Sequence, residues 1–342
     1  MTARRYLVIH TAFLGDIVLL LPLLQALRQA GPGSFVAVLT TPAASGLLEG
    51  HPAVNEVIPY AKRTTDRGIR GIFRIADRLE DRAFDVAIIP HRSLRSAVVG
   101  YLSNTPVRIG FDRSAGKFLL TSVVQYRPDA HEIDRNIDLL APLGFRPADR
   151  LLPVLPPNPS LPAGVQSLLD ESKGRRTIAI APGSVWMTKR WPADRFALLA
   201  AQLEARGDRV VLLGSAVDRQ LCGAVAAQSG RNPLNLAGML SLRESAEVIR
   251  TCDAIVTNDS APAHLGVAVG TRVIAIFGAT SPAFGFAPAG PHDVIVETNG
   301  LACRPCAIHG GNSCPIQTFV CMLSISPEQV LAAIDAVPSD HH

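Results

Sequence analysis

The stretch Thr257–Pro282, TNDSAPAHLGVAVGTRVIAIFGATSP, decides how the chain folds. Ala254–Thr257, leading into it, is a short apolar run of the kind that forms a buried strand. The run stops at Asn258–Asp259–Ser260, three residues favoured as helix N-caps. Pro262 follows where a first helical turn tolerates proline, because its missing N–H would have no partner there. The helix is expected to run to about Val269 and to end at Gly270. A second buried strand, Arg272–Phe277, breaks at Gly278. The unit is therefore strand, polar turn, helix, strand. Its helix N-terminus lies at a strand's carboxyl end, where free N–H groups and the helix dipole favour an anion. Asp259 and Ser260 are either plain caps or part of such an anion site.

The same alternation runs outward in both directions. Tyr6–His10 reads as a strand, Thr11–Asp16 as a polar turn, and Ile17–Ala30 as a helix closed by Gly31–Pro32. Phe35–Thr40 and Val54–Pro59 are further strands. Arg63–Arg82 has a helical pattern, and Val86–Pro90 is a strand ending in His91–Arg92. Pro153, Pro156, Pro157, Pro159 and Pro162 then mark a linker. Beyond it, Thr177–Ala181 and Arg209–Gly214 read as strands. Asp194–Arg206, Arg219–Ser229, Ser241–Thr251 and Pro327–Val337 read as helices. Such alternation implies an α/β protein whose parallel sheets are covered on both faces. The chain has 342 residues, too many for one ordinary core. Two domains are expected, residues 1–155 and 156–342. No internal sequence repeat is evident, so a likeness between them would be architectural.

Composition narrows the function classes. The chain is 48% hydrophobic and 18% charged, which is globular. It has no run of about 18 uninterrupted apolar residues, so no transmembrane helix is expected. Arg4 and Arg5 precede an apolar segment, but His10, Gly15 and Asp16 interrupt it and no small-residue cleavage site follows. A cytoplasmic protein is expected. Residues 1–155 carry 19 Lys and Arg against 14 Asp and Glu, and the remainder 14 against 15. The anion-seeking surface therefore belongs to the first half. Aromatics make up 5% and no base-stacking motif is present, so no nucleic-acid partner is expected.

Asp16 sits between the first strand and first helix, placed either as an N-cap or as a carboxylate at a strand's carboxyl end. The helix dipole would keep it ionised, which suits a general base. Lys189 lies in Trp186–Met187–Thr188–Lys189–Arg190–Trp191–Pro192, after the turn Pro182–Gly183–Ser184. It could supply a point charge for a phosphate. Alternatively, Trp191 packs under the next helix and Lys189 is exposed. Arg63, Arg67, Arg70, Arg74, Arg78 and Arg82 recur every three or four residues, as one helical stripe would. His91, Arg92, Ser93 and Arg95 follow a strand and are better placed to meet a ligand. No G-x-G-x-x-G follows the first strand, and neither a Walker A nor a D-x-D motif is present. These absences argue against a nicotinamide dehydrogenase and a metal-held nucleotide. Cys303, Cys306, Cys314 and Cys321 crowd one segment with His309. In a cytoplasmic protein they are either reduced thiols or a structural zinc or iron knuckle. Cys222 and Cys252 are lone helical positions, expected in the core.

Together these motifs resemble the ADP-heptose:lipopolysaccharide heptosyltransferases, glycosyltransferase family 9, and look most like the heptosyltransferase II branch. The carriers are L-G-D at 14–16 with Pro22 beyond, H-R-S-L-R at 91–95 and P-G-S-x-W-x-T-K-R-W-P at 182–192. N-D-S-A-P-A-H-L at 258–265, F-G-A-T-S-P at 277–282 and the cysteine segment complete them. They run in order through nearly the whole chain. The resemblance implies a GT-B fold, two Rossmann-like lobes with parallel sheets facing a cleft, the acceptor mainly on the first and the donor on the second. It implies inverting transfer of L-glycero-D-manno-heptose from ADP-heptose to the lipid-linked, anionic inner core of lipopolysaccharide. No cofactor would be required for catalysis, and peripheral contact with the inner membrane is expected. It implies Asp16 as base and Lys189 and Ser184 at the donor phosphates. Asp259, Ser260, Ala261 and His264 would wrap the pyrophosphate and sugar, with Leu240 at the adenine and Asp218 near the ribose. Arg63, Arg92 and Arg95 would meet the acceptor. Two other readings remain at this stage. One is a different GT-B nucleotide-sugar enzyme, such as an epimerase or a UDP-sugar transferase. The other is a non-catalytic protein binding anionic glycans.

Overall fold

The computed structural model describes residues 3–157, 161–170 and 174–336. Pro159 of the expected linker and Val337 of the expected last helix lie outside them. The chain divides into two compact units that meet between Pro156 and Pro157.

In the first unit the apolar runs become β1 (Arg5–Ile9), β2 (Phe35–Thr40), β3 (Glu56–Pro59), β4 (Val86–Ile89), β5 (Val107–Phe111) and β6 (Ser122–Val124). They pair in the order β3-β2-β1-β4-β5-β6. All pairs are parallel, with Tyr6 opposite both Val36 and Val86. The connecting helices are α1 (Leu14–Ala30), α2 (Pro42–Leu48), α3 (Gly68–Glu80), α4 (Leu94–Leu102) and α5 (Glu132–Asp138). Central strands are buried on both faces, so β1 reads as a continuous apolar run rather than an alternating one. Leu7, Ile9 and Leu39 from the strands pack with Ile75, Leu79 and Val99 from α3 and α4.

The second unit begins with α6 (Ala163–Asp170) and repeats the plan. Its strands are β7 (Thr177–Ala181), β8 (Arg209–Leu212), β9 (Leu234–Asn235), β10 (Ala254–Asn258), β11 (Arg272–Phe277) and β12 (Val294–Glu297). Their order is β12-β11-β10-β7-β8-β9, the topology of the first sheet read outward from β7. Around them lie α7 (Ala193–Ala205), α8 (Arg219–Ser229), α9 (Leu242–Arg250), α10 (Ala261–Val269), α11 (Val320–Leu323) and α12 (Pro327–Asp335). α10 begins after Ser260, carries Pro262 in its first turn and is closed by left-handed Gly270 at φ 80°. A Cβ at Gly266 would fall 2.6 Å from Val273 Cγ2, so this glycine lets the helix lie directly on the sheet. In each unit strand order reverses beside the first strand, between β1 and β4 and between β7 and β10. Ligands of open α/β sheets bind at the carboxyl ends of strands at such switch points.

Some elements differ from expectation. α1 starts at Leu14, because Asp16 Oδ2 accepts from the Phe13 N–H at 3.3 Å and draws Gly15–Asp16 into the first turn. α3 spans Gly68–Glu80 rather than Arg63–Arg82. Asp66 Oδ2 accepts from the Ala61 N–H and fixes the preceding turn, while Arg82 lies past the helix and holds Glu56 at 2.6 Å. The six arginines are thus not one stripe; Arg70, Arg74 and Arg78 share the helix. Cys222 and Cys252 are core residues, and burial pushes both thiols up to about 12. Among the described residues no helix is long and apolar enough to cross a membrane.

Candidate active site

The second unit gathers most of the expected donor residues at the carboxyl edge of its sheet. The loop after β7 is pinned from β10. Asn258, fully buried, accepts from the Trp191 N–H at 2.9 Å and donates to the Pro182 carbonyl at 2.8 Å. Trp191 is 1% exposed, donates Nε1–H to the Ile325 carbonyl and packs edge-on against Phe196. The tryptophan is therefore core, but Lys189 is not exposed. Its Nζ lies 2.6 Å from Asp259 Oδ2, with side chains 13% and 8% exposed. The Thr280 hydroxyl donates to the same oxygen at 2.7 Å. Ser260 stands at the N-cap of α10 but makes no side-chain cap bond. Its hydroxyl instead reaches the Gly183 carbonyl at 3.4 Å. The head of α10 thus carries no side-chain cap. Ala261 opens that helix and His264 is buried one turn in.

Asp218 joins this edge from the loop after β8. Its Oδ2 accepts from the Ser215 N–H at 2.9 Å and from the Ser215 hydroxyl at 2.6 Å. A Cβ at Gly183 would sit 2.5 Å from Asp218 Oδ1, so glycine is required for the two loops to touch. Ser184 is half-buried, and its carbonyl accepts from Arg190 at 2.7 Å. Leu240 follows β9 and is half-buried; no bond ties it to the others. Beside these loops Val185, Val217 and Met239 leave apolar side chains in solvent, 73%, 88% and 57% exposed. Sequence reasoning passed over them, though an exposed apolar residue at a strand's carboxyl end is a signal for a flat ring.

The first unit places a basic cluster at its own switch point. His10 follows β1 and His91 follows β4, and their rings stack with centroids 5.8 Å apart. Burial, followed by the charges of His91 and Lys62, pushes the His10 imidazole down to about 3. Burial and the charges of Lys62 and Arg92 take His91 to about 4. Both rings are neutral at pH 7. Lys62 donates to the Thr11 carbonyl and to its hydroxyl at 3.1 Å. Burial, then Arg63 and Arg95, lower the Lys62 pKa. Arg63 is exposed, and Arg95 reaches the Tyr60 hydroxyl at 3.3 Å. Arg92 lies 4.3 Å above the Tyr126 ring. Lys62 was missed by sequence because it stands beside Arg63 with no motif around it. Asp16 is half-buried in the first turn of α1, which follows β1.

The cysteines of the 303–321 segment lie near one another, with Cys303, Cys306 and Cys314 all acting electrostatically on Cys321. Among the described residues no three His, Cys, Asp or Glu side chains come together as a metal site. Cys321 is committed to the core beside Met322 and Ile325, and burial raises its pKa. Cys306 is exposed and donates its thiol to the Cys303 carbonyl at 3.3 Å. At Cys314 the N–H of Phe319, with those of Ile316, Thr318 and Gln317, lowers the pKa.

The sequence model for glycosyltransferase family 9 (heptosyltransferase) matches residues 72–312. The chain belongs to this family. Like other members of glycosyltransferase family 9, it is a glycosyltransferase with the GT-B fold. It is 30% identical over 293 residues to lipopolysaccharide heptosyltransferase 2 of Salmonella typhimurium, covering 82% of this chain and 84% of that one. It is 30% identical over 315 residues to lipopolysaccharide heptosyltransferase 1 of Pseudomonas aeruginosa, covering 88% and 86%. The solved structure of E. coli ADP-heptose LPS heptosyltransferase II superposes with a TM-score of 0.78 at 26% identity, covering 97% of this chain and 98% of that one. Heptosyltransferases of this family need no cofactor for catalysis.

Proposed function

We propose that the protein transfers L-glycero-D-manno-heptose from ADP-heptose to the inner core of lipopolysaccharide, with inversion. The observation that carries this reading is the buried Lys189–Asp259 pair beside the uncapped head of α10. It puts a fixed cation and helix N–H groups at the carboxyl edge of the sheet, where a diphosphate would be met. The names of the family's relatives support the sugar and the acceptor.

In this reading the second unit, 156–342, holds the donor. Ser184, Lys189 and the segment Asp259, Ser260, Ala261 and His264 take the diphosphate and sugar. Asp218 serves the ribose, and Leu240 with Met239 and Val217 covers the adenine. The first unit, 1–155, holds the acceptor, whose carboxylates and phosphates meet Arg63, Arg92 and Arg95 together with Lys62. The acceptor hydroxyl attacks the anomeric carbon opposite the leaving group. The bond from that carbon to the diphosphate oxygen breaks, and its electron pair leaves with ADP. Lys189 and the head of α10 stabilise the growing negative charge, while Asp16 removes the hydroxyl proton.

A cytoplasmic enzyme touching the inner membrane fits the surface of α3. Ile69 and Phe73 are 72% and 51% exposed there, flanked by Arg67, Arg70 and Arg74. Apolar side chains among arginines suit an anionic lipid surface. The deciding experiment supplies ADP-heptose and a heptose-deficient core acceptor and measures ADP release. Turnover that needs both substrates is expected. No turnover, or calorimetric binding of UDP as tight as ADP, would refute the assignment.

A further inference from the structure

The segment after β12 that holds the cysteines makes contacts no metal would explain. Arg304, with its side chain 9% exposed, directs Nε and Nη2 at the Thr280 carbonyl, at 3.0 and 2.8 Å. Its Nη1 donates to the Thr298 carbonyl at 2.9 Å, and the guanidinium pairs with Glu297. The Cys306 N–H donates to the Ala279 carbonyl at 2.8 Å. Farther along, Thr188 and Gly311 bond reciprocally. The Thr188 N–H donates to the Gly311 carbonyl at 3.0 Å, and the Gly311 N–H donates to the Thr188 hydroxyl at 2.8 Å. Gly310, at φ 84°, lies so near that a Cβ there would be 3.1 Å from Lys189 Cγ.

These bonds fall on both sides of one ammonium. One set holds the residue before Lys189. The other holds Thr280, whose hydroxyl donates to the carboxylate that pairs with Lys189. Ala307, Ile308 and His309, between the two sets, are exposed, so hydrogen bonds rather than apolar burial hold the strap in place. We propose that the Arg304–Gly311 strap positions Lys189, with Thr280 and Arg304 as positioning residues that act through Asp259. Two bonds on its carbonyl fix the Thr280 backbone, and that aims its hydroxyl at Oδ2. Asp259 Oδ2 is thereby oriented toward Lys189, and the ammonium is held where a diphosphate would arrive. The proposal rests on the reading of Lys189 as a donor contact. Preorganised charge of this kind needs its supporting groups in place to act in full.

The test is a cycle of Thr280→Val, Lys189→Ala and the double variant, read as ADP affinity by calorimetry and as ADP release in turnover. Thr280→Val keeps the side-chain shape but cannot donate. It should weaken ADP binding about tenfold and lower kcat by a similar factor, the size of a coupling between residues in one hydrogen-bond network. The KM for acceptor should stay near its parental value. Thr280→Ser, which keeps the donor, should recover within about threefold. In the Lys189→Ala background Thr280→Val should change ADP affinity by less than about twofold, because its effect passes through the lysine. Arg304→Lys, which keeps charge but loses the fork, should reproduce the Thr280→Val pattern. This gives the test a second arm if the valine variant folds poorly.

An impaired Lys189→Ala beside a parental Thr280→Val would overturn the strap while leaving the donor site standing. A full Thr280→Val effect in the Lys189→Ala background would overturn it as well. A Lys189→Ala variant that binds ADP and turns over like the parent would remove the donor reading and the strap with it.

Discussion

Replacing Lys189 by methionine should separate two consequences of the Lys189–Asp259 pair. Methionine keeps the unbranched stem that lies against Gly310, so the change removes charge rather than packing. The partner carboxylate then remains 8% exposed, still bonded to Thr280 but without its cation. Breaking a buried pair from one side costs about 3–5 kcal/mol. The 13% exposure of Lys189 and the surviving Thr280 bond reduce this to about 2–4 kcal/mol. Asp259→Asn added to Lys189→Met removes the stranded charge and should restore most of that stability. Transfer should behave differently. Loss of the leaving-group cation should lower kcat by about 10²–10³, and the double variant should stay as inactive as the single one. Both tryptophans of the chain lie in the loop containing Lys189, so their fluorescence during urea unfolding reports on this unit. ADP release at saturating substrates gives the rate. A Lys189→Met variant as stable as the parent would refute the buried pair. A double variant that regains turnover would refute the role of the cation.

Three further outcomes are expected. Asp16→Asn keeps an oxygen for the Phe13 N–H, so α1 should be undisturbed and ADP affinity unchanged, while kcat falls about 10²–10⁴; turnover within a few-fold of the parent would leave Asp16 as a cap. His10 and His91 are held at about 3 and about 4, below their ordinary value of 6.5, so the unfolded chain binds more protons than the folded one between those values. Stability of the first unit should therefore be full above about pH 6.5 and fall by several kcal/mol, on the order of 1.4 per pH unit for each ring, as the pH drops toward 3. Acid unfolding of His10→Gln should show a shallower limb, and an unchanged limb would contradict the burial argument. Arg70→Ala with Arg74→Ala should weaken binding to anionic vesicles at low salt by about 10–30-fold, at about 1 kcal/mol per arginine, with the difference shrinking at high salt; equal sedimentation with vesicles would make that face a solvated one.

The sequence showed the sheet-forming runs wherever burial on both faces made them continuous, as in Tyr6–Ile9 and Arg272–Phe277. It did not show β5, where Arg108 and Gly110 interrupt the run, or β9, which is two residues long. The α3 boundaries were misread because arginines recur at helical spacing on both sides of a turn fixed by Asp66, a tertiary bond that periodicity does not register. The carboxyl edge of the second sheet was legible because caps, prolines and glycines mark strand ends locally. The pairing of Lys189 with Asp259 was not, since 70 residues separate them and neither hints at the other. The cysteine spacing could be read only through ligand count, and the packing of Cys321 against Met322 and Ile325 was not visible in it.

The division after Pro156 has a consequence for how the chain is made. Every sheet pair on either side of it is parallel, and parallel pairs close only after a crossover has been synthesised. β1 lies inside its sheet and stays unpaired on one side until β4, some 80 residues later, has emerged. Once Pro156 has left the ribosome, all six strands of the first unit are present, while β7 and every later strand have yet to emerge. The second sheet is complete only at the end of β12, Glu297, 141 residues after Pro156, and at about 5–20 residues per second this gives the first unit roughly 7–28 s of folding before that sheet can close. The exposed basic surface of the first unit is thus in place before the second sheet can form.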